Sequence, residues 1–173
     1  MNFEHYPQFF TATILEWKPL LENDTYKQII VDSLQFMVKE KRVTVFGFVI
    51  MPNHVHIIWQ IQDGHERKKV QQSFLRYTAQ QIKFDLERTN ASLLEEFRVD
   101  EADREYQFWE RNALSVDLFT DVVFEQKLEY IHNSPIQERW KLALYAEDYR
   151  WSSAGFYAGR KNEFEWLTPC DDV

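Results

Sequence analysis

Two long apolar segments separated by only two residues constrain the fold of this chain more than any other feature. Arg42–Met51 and His54–Gln62 are rich in β-branched and aromatic residues, and Pro52 and Asn53 lie between them. Such residues favour strands, and strands joined this closely pair as a hairpin. The sequence therefore predicts an antiparallel hairpin whose first strand is buried.

The segments on either side of the hairpin predict alternating strands and helices. Strands are predicted over 9–17 and within 106–118, and helices over 24–41, 68–86 and 120–132, with a short helix around 148–156. The polar, acidic stretch 86–105 is predicted to be a loop or a mobile insertion. This order predicts an α+β single-domain sandwich, with helices packed on a mostly antiparallel central sheet.

Length and composition exclude several classes of protein. The 173 residues are about one domain, and 45% of them are hydrophobic, which is enough for a buried core. The single cysteine, Cys170, excludes an internal disulfide framework and a cysteine-rich zinc site. No charged-then-apolar leader opens the chain, and no apolar run approaches the roughly 20 residues that span a bilayer. We therefore expect a cytoplasmic protein with no membrane partner.

The charge distribution is uneven. The net charge of -8 argues against nucleic acid as a partner, because phosphate binding usually needs a basic surface. Residues 1–94, however, hold 11 Lys/Arg and 10 Asp/Glu, whereas residues 95–173 hold 9 and 18. The segment 67–84 contains five basic residues and no acid, and it is a candidate contact for the DNA backbone. These residues are Arg67, Lys68, Lys69, Arg76 and Lys83. The alternative for this segment is a solvated helix face.

Two histidines, His54 and His56, begin the second strand of the hairpin. Alternate residues of a strand share a face, so both imidazoles point the same way, about 7 Å apart along the backbone. Two such rings can converge on one divalent metal ion, which then needs further ligands. The alternative is a pair of ordinary strand histidines.

Tyr130 is the candidate nucleophile, ahead of Tyr77. Tyr130 lies off the apolar stripe of its helix, among polar neighbours, as either a surface tyrosine or a presented hydroxyl. Tyr77 is nearer to the histidines in sequence but lies opposite the predicted core stripe of its own helix. A phenol attacks poorly near neutral pH, and a metal ion on the scissile phosphate would lower that barrier.

Five motifs together resemble one known family. The segment MPNHVHIIW resembles the His-hydrophobe-His motif of single-tyrosine HUH transposases, and LEYIHNSP resembles their tyrosine helix. In the REP-associated branch that helix reads close to Tyr-Ile-His-x-Asn-Pro. FLRYTAQQI, YQFWE and DYRWSSAGFY also resemble this branch, and all five occur in the family's order over roughly residues 8–158. The resemblance implies a ferredoxin-like sheet in a transposase-like domain over 1–135, with a C-terminal tail, 136–173, packed on it.

The resemblance also implies an activity. His54 and His56 would bind Mg²⁺ or Mn²⁺ against a phosphate of single-stranded DNA with hairpin or repeat ends. Tyr130 would attack that phosphate and form a 5′-phosphotyrosine. The family's third metal ligand is an amide side chain four residues after the tyrosine, where this chain has Ser134, with Asn133 one residue earlier. Either residue could complete the site, or the site is weakened.

Several alternatives follow from the same residues. A domesticated protein could bind hairpin DNA with little or no cleavage, and Ser134 and the net charge favour this reading. A replication or mobilisation nickase would use the same histidine chemistry, but a second tyrosine beside Tyr130 is missing. A small-phosphoester hydrolase would act without DNA. A homodimer and a monomer are both compatible with the resemblance.

Overall fold

The computed structural model describes residues 5–160 and 163–172 of the chain. These residues form six strands and five α-helices. The strands are Gln8–Thr13 (β1), Val43–Met51 (β2), His54–Ile61 (β3), Arg98–Glu101 (β4), Arg104–Tyr106 (β5) and Leu114–Asp117 (β6). The helices are Asp24–Lys39 (α1), Arg67–Thr89 (α2), Ala91–Glu95 (α3), Asp121–Asn133 (α4) and Ala154–Tyr157 (α5).

Four of the strands form the central sheet, in the order β2-β3-β1-β6. Every pairing in this sheet is antiparallel. The elements β1-α1-β2-β3-α2-β6 follow one another as in the ferredoxin-like βαββαβ arrangement. The predicted α+β sandwich on an antiparallel sheet is confirmed.

The hairpin of β2 and β3 is the centre of the sheet. Its register runs from Met51 opposite His54 to Val43 opposite Ile61, with an irregularity between Val45 and Gly47. Both strands are almost entirely buried because elements pack on both of their faces. The hairpin predicted from the sequence is confirmed.

Helices α1 and α2 cover one face of the sheet. The Asn23 side chain accepts a hydrogen bond from the Thr25 amide and caps α1. In α2 the buried stripe includes Phe74, which packs against Trp59 and Phe10 with ring centroids 5.7 and 6.2 Å away. Trp59 is fully buried on this face, opposite the two histidines.

Helix α4 covers the other face through an apolar stripe. Phe124, Leu128 and Ile131 are buried there against side chains of β1, β2 and β3. The helix comes very close to β2 at Gly47, where a Cβ atom would lie only 2.6 Å from Leu128 Cδ1. The absence of a side chain at Gly47 therefore sets the spacing between sheet and helix.

The stretch 86–105 is not a loop, and that prediction is wrong. Helix α2 continues to Thr89, and α3 and the β4–β5 hairpin follow it. Leu94 and Phe97 are buried and anchor the segment to the core. Arg98 forms ion pairs with Glu95 and Glu105, so part of the local charge belongs to folded structure.

The segment that follows α4 packs along the free edge of β2. The backbone amide of Ile50 donates to Trp151 O at 2.9 Å, and the amides of Ser153 and Thr168 donate to Phe48 O and Val45 O at 2.9 Å each. These bonds cover an edge that would otherwise be open to pairing with another strand. Among the residues described, no helix is long and apolar enough to cross a membrane.

Candidate active site

The two histidines of β3 form the centre of the site. His54 and His56 lie on the α4 face of the sheet, with ring centroids 4.7 Å apart. Both are only 7% exposed, and His56 stacks on Phe9 of β1 at 5.0 Å. Strand periodicity predicts this shared orientation, and the structure confirms it.

Each imidazole is oriented through its Nδ1 atom. His54 Nδ1 lies 2.7 Å from Asn53 Oδ1, and His56 Nδ1 lies 2.8 Å from Thr11 Oγ1. An amide oxygen only accepts hydrogen bonds, so His54 carries its proton on Nδ1 and leaves Nε2 with a free lone pair. Partners of this kind typically hold metal-binding histidines in place.

The site keeps both histidines neutral. Burial lowers the pKa of His54 to about 4, and the positive charge of Arg139 contributes to the shift. Burial lowers the pKa of His56 to about 3, with smaller effects from His54 and Lys127. Only a neutral imidazole has a lone pair to donate, so both rings are in the form that binds a metal ion near neutral pH.

The donor set fits a divalent metal ion that takes its remaining ligands from elsewhere. Within residues 5–160 and 163–172, no group of three or more His, Cys, Asp or Glu side chains is placed to hold a metal. Two imidazole nitrogens without a carboxylate suit Mn²⁺ better than Mg²⁺, which prefers oxygen. Water and a phosphate oxygen are suitable further ligands for either ion.

Tyr130 lies beside this pair. Its ring centroid is 5.6 Å from that of His56 and 6.2 Å from that of Phe9, and 45% of the residue is exposed. The tyrosine belongs to the last part of α4 and is not one of the helix's buried residues. Packing of α4 on the sheet therefore brings a reachable phenol next to a buried histidine pair.

Two basic residues that the sequence did not single out also lie at the site. The Lys127 ammonium lies 4.9 Å from the Phe9 ring centroid and 5.7 Å from that of Tyr130. Arg139 lies over the Trp140 ring, which is 5.9 Å from His54. Lys127 precedes Tyr130 by three residues and so shares its helix face, a signal that was available in the sequence.

The two candidates for a third ligand differ in placement. Ser134 is buried and its hydroxyl donates to Tyr130 O at 2.9 Å, which continues the helical turn. Asn133 is exposed at the end of α4. The backbone keeps a helical conformation at both residues, as α4 ends and a 3-10 turn begins at Ser134. The ligand role of either residue stays a prediction.

The basic residues of α2 lie on the opposite face of the sheet from Tyr130, because α2 packs on the Trp59 face. Arg67 pairs with Asp117 at 2.7 Å, Lys69 with Glu66 at 2.8 Å and Lys83 with Glu87 at 3.5 Å. These pairs are what a solvated helix face would show.

Two members of this basic group differ from the rest. Lys68 and Arg76 form no ion pair within the described ranges. They remain available for an anionic ligand, although the structure does not bring them to the histidines. A role in DNA binding stays a prediction for the whole group.

Tyr77 is separated from the site by the sheet. It is 48% exposed on the outer side of α2, where it borders a shallow depression with Lys69 and Arg76. The structure thus places Tyr130, and not Tyr77, next to the histidine pair.

Comparison with solved structures identifies the same architecture elsewhere. A REP-associated tyrosine transposase, solved bound to a REP hairpin, matches with a TM-score of 0.64 and 15% sequence identity, over 97% of this chain and 89% of its own. This chain has the fold of that transposase. A protein of Deinococcus radiodurans R1, described as a candidate transposase, matches with a TM-score of 0.50 and 12% identity, over 76% of this chain and 92% of its own.

The likeness to the transposase fold is visible in structure and not in overall sequence. No protein-family model matches the chain, and no curated protein matches it significantly. The resemblance inferred from the motifs is thus confirmed at the level of the fold.

Proposed function

We propose that this chain is a metal-dependent, single-tyrosine strand transferase of the transposase type, acting on single-stranded DNA with hairpin or repeat ends. One observation carries the proposal: Tyr130 lies 5.6 Å, between ring centroids, from His56, although the two residues are far apart in sequence. The order of the five motifs and the shared transposase fold support it.

In the proposed reaction the Tyr130 hydroxyl oxygen attacks the scissile phosphorus. An O–P bond forms to the tyrosine and the bond from phosphorus to the 3′ oxygen breaks, which leaves a 5′-phosphotyrosine and a free 3′-hydroxyl. The phenol proton passes to water, and the departing oxygen takes a proton from water. Because one phosphodiester replaces another, attack by a new 3′-hydroxyl can rejoin the DNA without ATP.

His54 and His56 would hold Mg²⁺ or Mn²⁺ through their free ring nitrogens. When bound, the metal ion would withdraw charge from the phosphate as a Lewis acid. Asn53 and Thr11 keep the two rings oriented, and burial keeps them neutral.

The positive charges at the site suit a phosphodiester substrate. Lys127 lies on the Tyr130 side of the histidine pair and Arg139 on the Trp140 side. Neither forms an ion pair within the described ranges, so both are available to phosphate oxygens. A fixed cation beside the reacting group stabilises the negative charge that develops on the phosphate in the transition state.

A covalent-trapping assay tests this proposal. The protein is incubated with end-labelled single-stranded hairpin oligonucleotides from repeats that flank its gene, with Mn²⁺, Mg²⁺ or chelator. We expect a metal-dependent protein–DNA adduct carrying the 5′ phosphate, which disappears in Tyr130→Phe and persists in Tyr77→Phe. Adducts that survive Tyr130→Phe would contradict the assignment of the nucleophile.

A hairpin-binding protein without efficient cleavage is the second candidate. Ser134 favours it, because this residue occupies the position of the family's amide ligand and its hydroxyl already bonds to Tyr130 O. For this candidate we expect salt-sensitive hairpin binding and no adduct with either metal. Ser134→Asn would then restore the amide side chain, and an adduct gained by that variant would locate the defect at the metal site.

A further inference from the structure

Trp17 is displayed on the surface beside the histidine pair. All six tryptophans lie in the described ranges, and Trp17 is the one among them that is exposed, at 63%. Tryptophan is on average a highly buried residue, so a ring displayed in this way needs an explanation. Its centroid lies 6.3 Å from that of His54, with the planes at 64°.

The backbone that presents Trp17 is held in an unfavourable conformation. Glu16 and Trp17 have φ values of 56° and 58°, in the left-handed region that residues with a Cβ atom rarely adopt. Contacts on several sides hold this turn: the Trp17 amide donates to Ile14 O at 2.9 Å, and the Glu16 amide donates to Glu110 Oε1 at 2.6 Å. Such conformations persist only where the surroundings fix them, and they cluster at functional sites.

One amide side chain couples this turn to the histidine pair. Asn53 Nδ2 donates to Trp17 O at 3.3 Å, while Asn53 Oδ1 accepts from His54 Nδ1 at 2.7 Å. The position of the indole and the orientation of the imidazole therefore depend on the same group.

We propose that Trp17 is a stacking platform for an unpaired base of the nucleotide next to the phosphate bound at His54 and His56. This inference rests on the proposed function, since it takes single-stranded DNA as the ligand. Aromatic rings bind successive bases of single strands by stacking, and every base has a flat face to offer. The rigid turn fits this role, because it holds the ring in place before the DNA arrives.

A second aromatic ring beside His54 supports the same occupant. The Trp140 ring centroid lies 5.9 Å from that of His54, and Arg139 lies over the Trp140 ring. The histidine pair is thus flanked by an aromatic surface on which a base can lie.

Abasic-site scanning tests the platform. Binding is measured by fluorescence anisotropy in the Tyr130→Phe background with Mn²⁺, using the hairpin oligonucleotide and versions with one base removed at each unpaired position in turn. We expect Trp17→Gly to weaken binding to the intact oligonucleotide by about 5- to 150-fold, the range for loss of one stacked base. We also expect this loss to vanish when one particular base is already absent, and Trp17→Phe to retain most of the affinity.

The variants are chosen so that folding does not confuse the result. Glycine adopts the left-handed backbone readily, so Trp17→Gly removes the ring without adding strain. Phe36→Ala removes an aromatic side chain that is 50% exposed on α1, on the opposite face of the sheet, and it should bind as well as the parent.

Several other outcomes would overturn the assignment of Trp17 as a stacking platform. Equal loss on every abasic oligonucleotide, or no loss at all while wild-type protein still forms the Tyr130 adduct, would overturn the platform and leave the proposed function standing. A changed oligomeric state in Trp17→Gly with unchanged DNA binding would assign the ring to a protein contact and overturn it as well. If wild-type protein neither binds the oligonucleotide nor forms an adduct, the proposed function and this inference fail together.

Discussion

Gly47→Ala should disturb the candidate site by pushing α4 away from the sheet. The added methyl group would lie 2.6 Å from Leu128 Cδ1, 3.2 Å from Ser153 Oγ and 3.3 Å from Ile131 Cδ1. The Leu128 contact is about 1 Å shorter than an ordinary carbon–carbon contact, so the helix or its side chains must move away from β2. Because Tyr130 is on α4 and the histidines are on β3, this movement changes the separation of nucleophile and metal ligands.

This movement should affect both stability and activity. Overfilling a packed core by one methyl group destabilises by about 1–3 kcal/mol, which for a chain of this length lowers the Tm by roughly 2–12 °C. A misplacement of about 1 Å can slow an enzymatic step by about 100-fold. We therefore expect Gly47→Ala to remain folded at 25 °C and to form the Tyr130 adduct far more slowly than wild type.

Thermal unfolding and adduct kinetics on the same variants measure the prediction. Gly155→Ala is the matched control, because its new methyl group meets only Glu147 O at 3.4 Å, an ordinary contact. Leu128→Ala in the Gly47→Ala background removes the clashing group, and the two substitutions should be non-additive by about 0.5–3 kcal/mol. Strict additivity, or a Gly47→Ala protein as active as wild type, would refute the argument that Gly47 sets the position of α4.

Substitutions at four further residues have defined outcomes. Lys127→Gln should slow adduct formation by about 10- to 100-fold at saturating DNA, the value of one hydrogen bond to a charged group, while Lys127→Arg keeps most of the rate. Burial lowers the pKa of His132 to about 4, so the folded state binds fewer protons than the unfolded state below pH ~6.5. The contribution of His132 to stability should therefore be full above that pH and fall as the pH drops toward 4. Urea titrations at several pH values should show that the free energy of unfolding of His132→Gln depends less steeply on pH, by about 1.4 kcal/mol per pH unit. Arg76→Gln should reduce the salt dependence of log K for single-stranded DNA by about 0.7, whereas Arg67→Gln should mainly lower the Tm, because Arg67 bonds to Asp117.

The parts of the fold that follow from periodicity could be predicted from the sequence. A strand period of two fixes that His54 and His56 share a face, whichever partner strand they meet. The helical period likewise separates Tyr130 from the buried stripe of Phe124 and Leu128. These two rules, applied to short segments, are enough to make the histidines and the tyrosine candidates.

The parts of the fold that depend on long-range contacts could not be predicted from the sequence. Helical periodicity shows which side of α2 is apolar, but not which face of the sheet receives it, so the basic residues could not be placed relative to the site. Leu94 and Phe97 are hidden among acidic residues, and their burial depends on partners elsewhere in the chain. The bond from Thr11 to His56 follows from the register of β1 against β3, and the left-handed turn at Trp17 from contacts with distant residues.

The histidines of the site lie on a strand, whereas its tyrosine lies on a helix. These two parts of the site therefore differ in how well they tolerate insertions and deletions. A single residue inserted within β3 would turn His54 or His56 to the Trp59 face, because strand neighbours alternate. A residue inserted in the short connection between β6 and α4 leaves the helix's own stripe intact, and Tyr130 with it. Length changes among descendants of this chain should therefore accumulate before the nucleophile's helix and be purged from the metal-ligand strand.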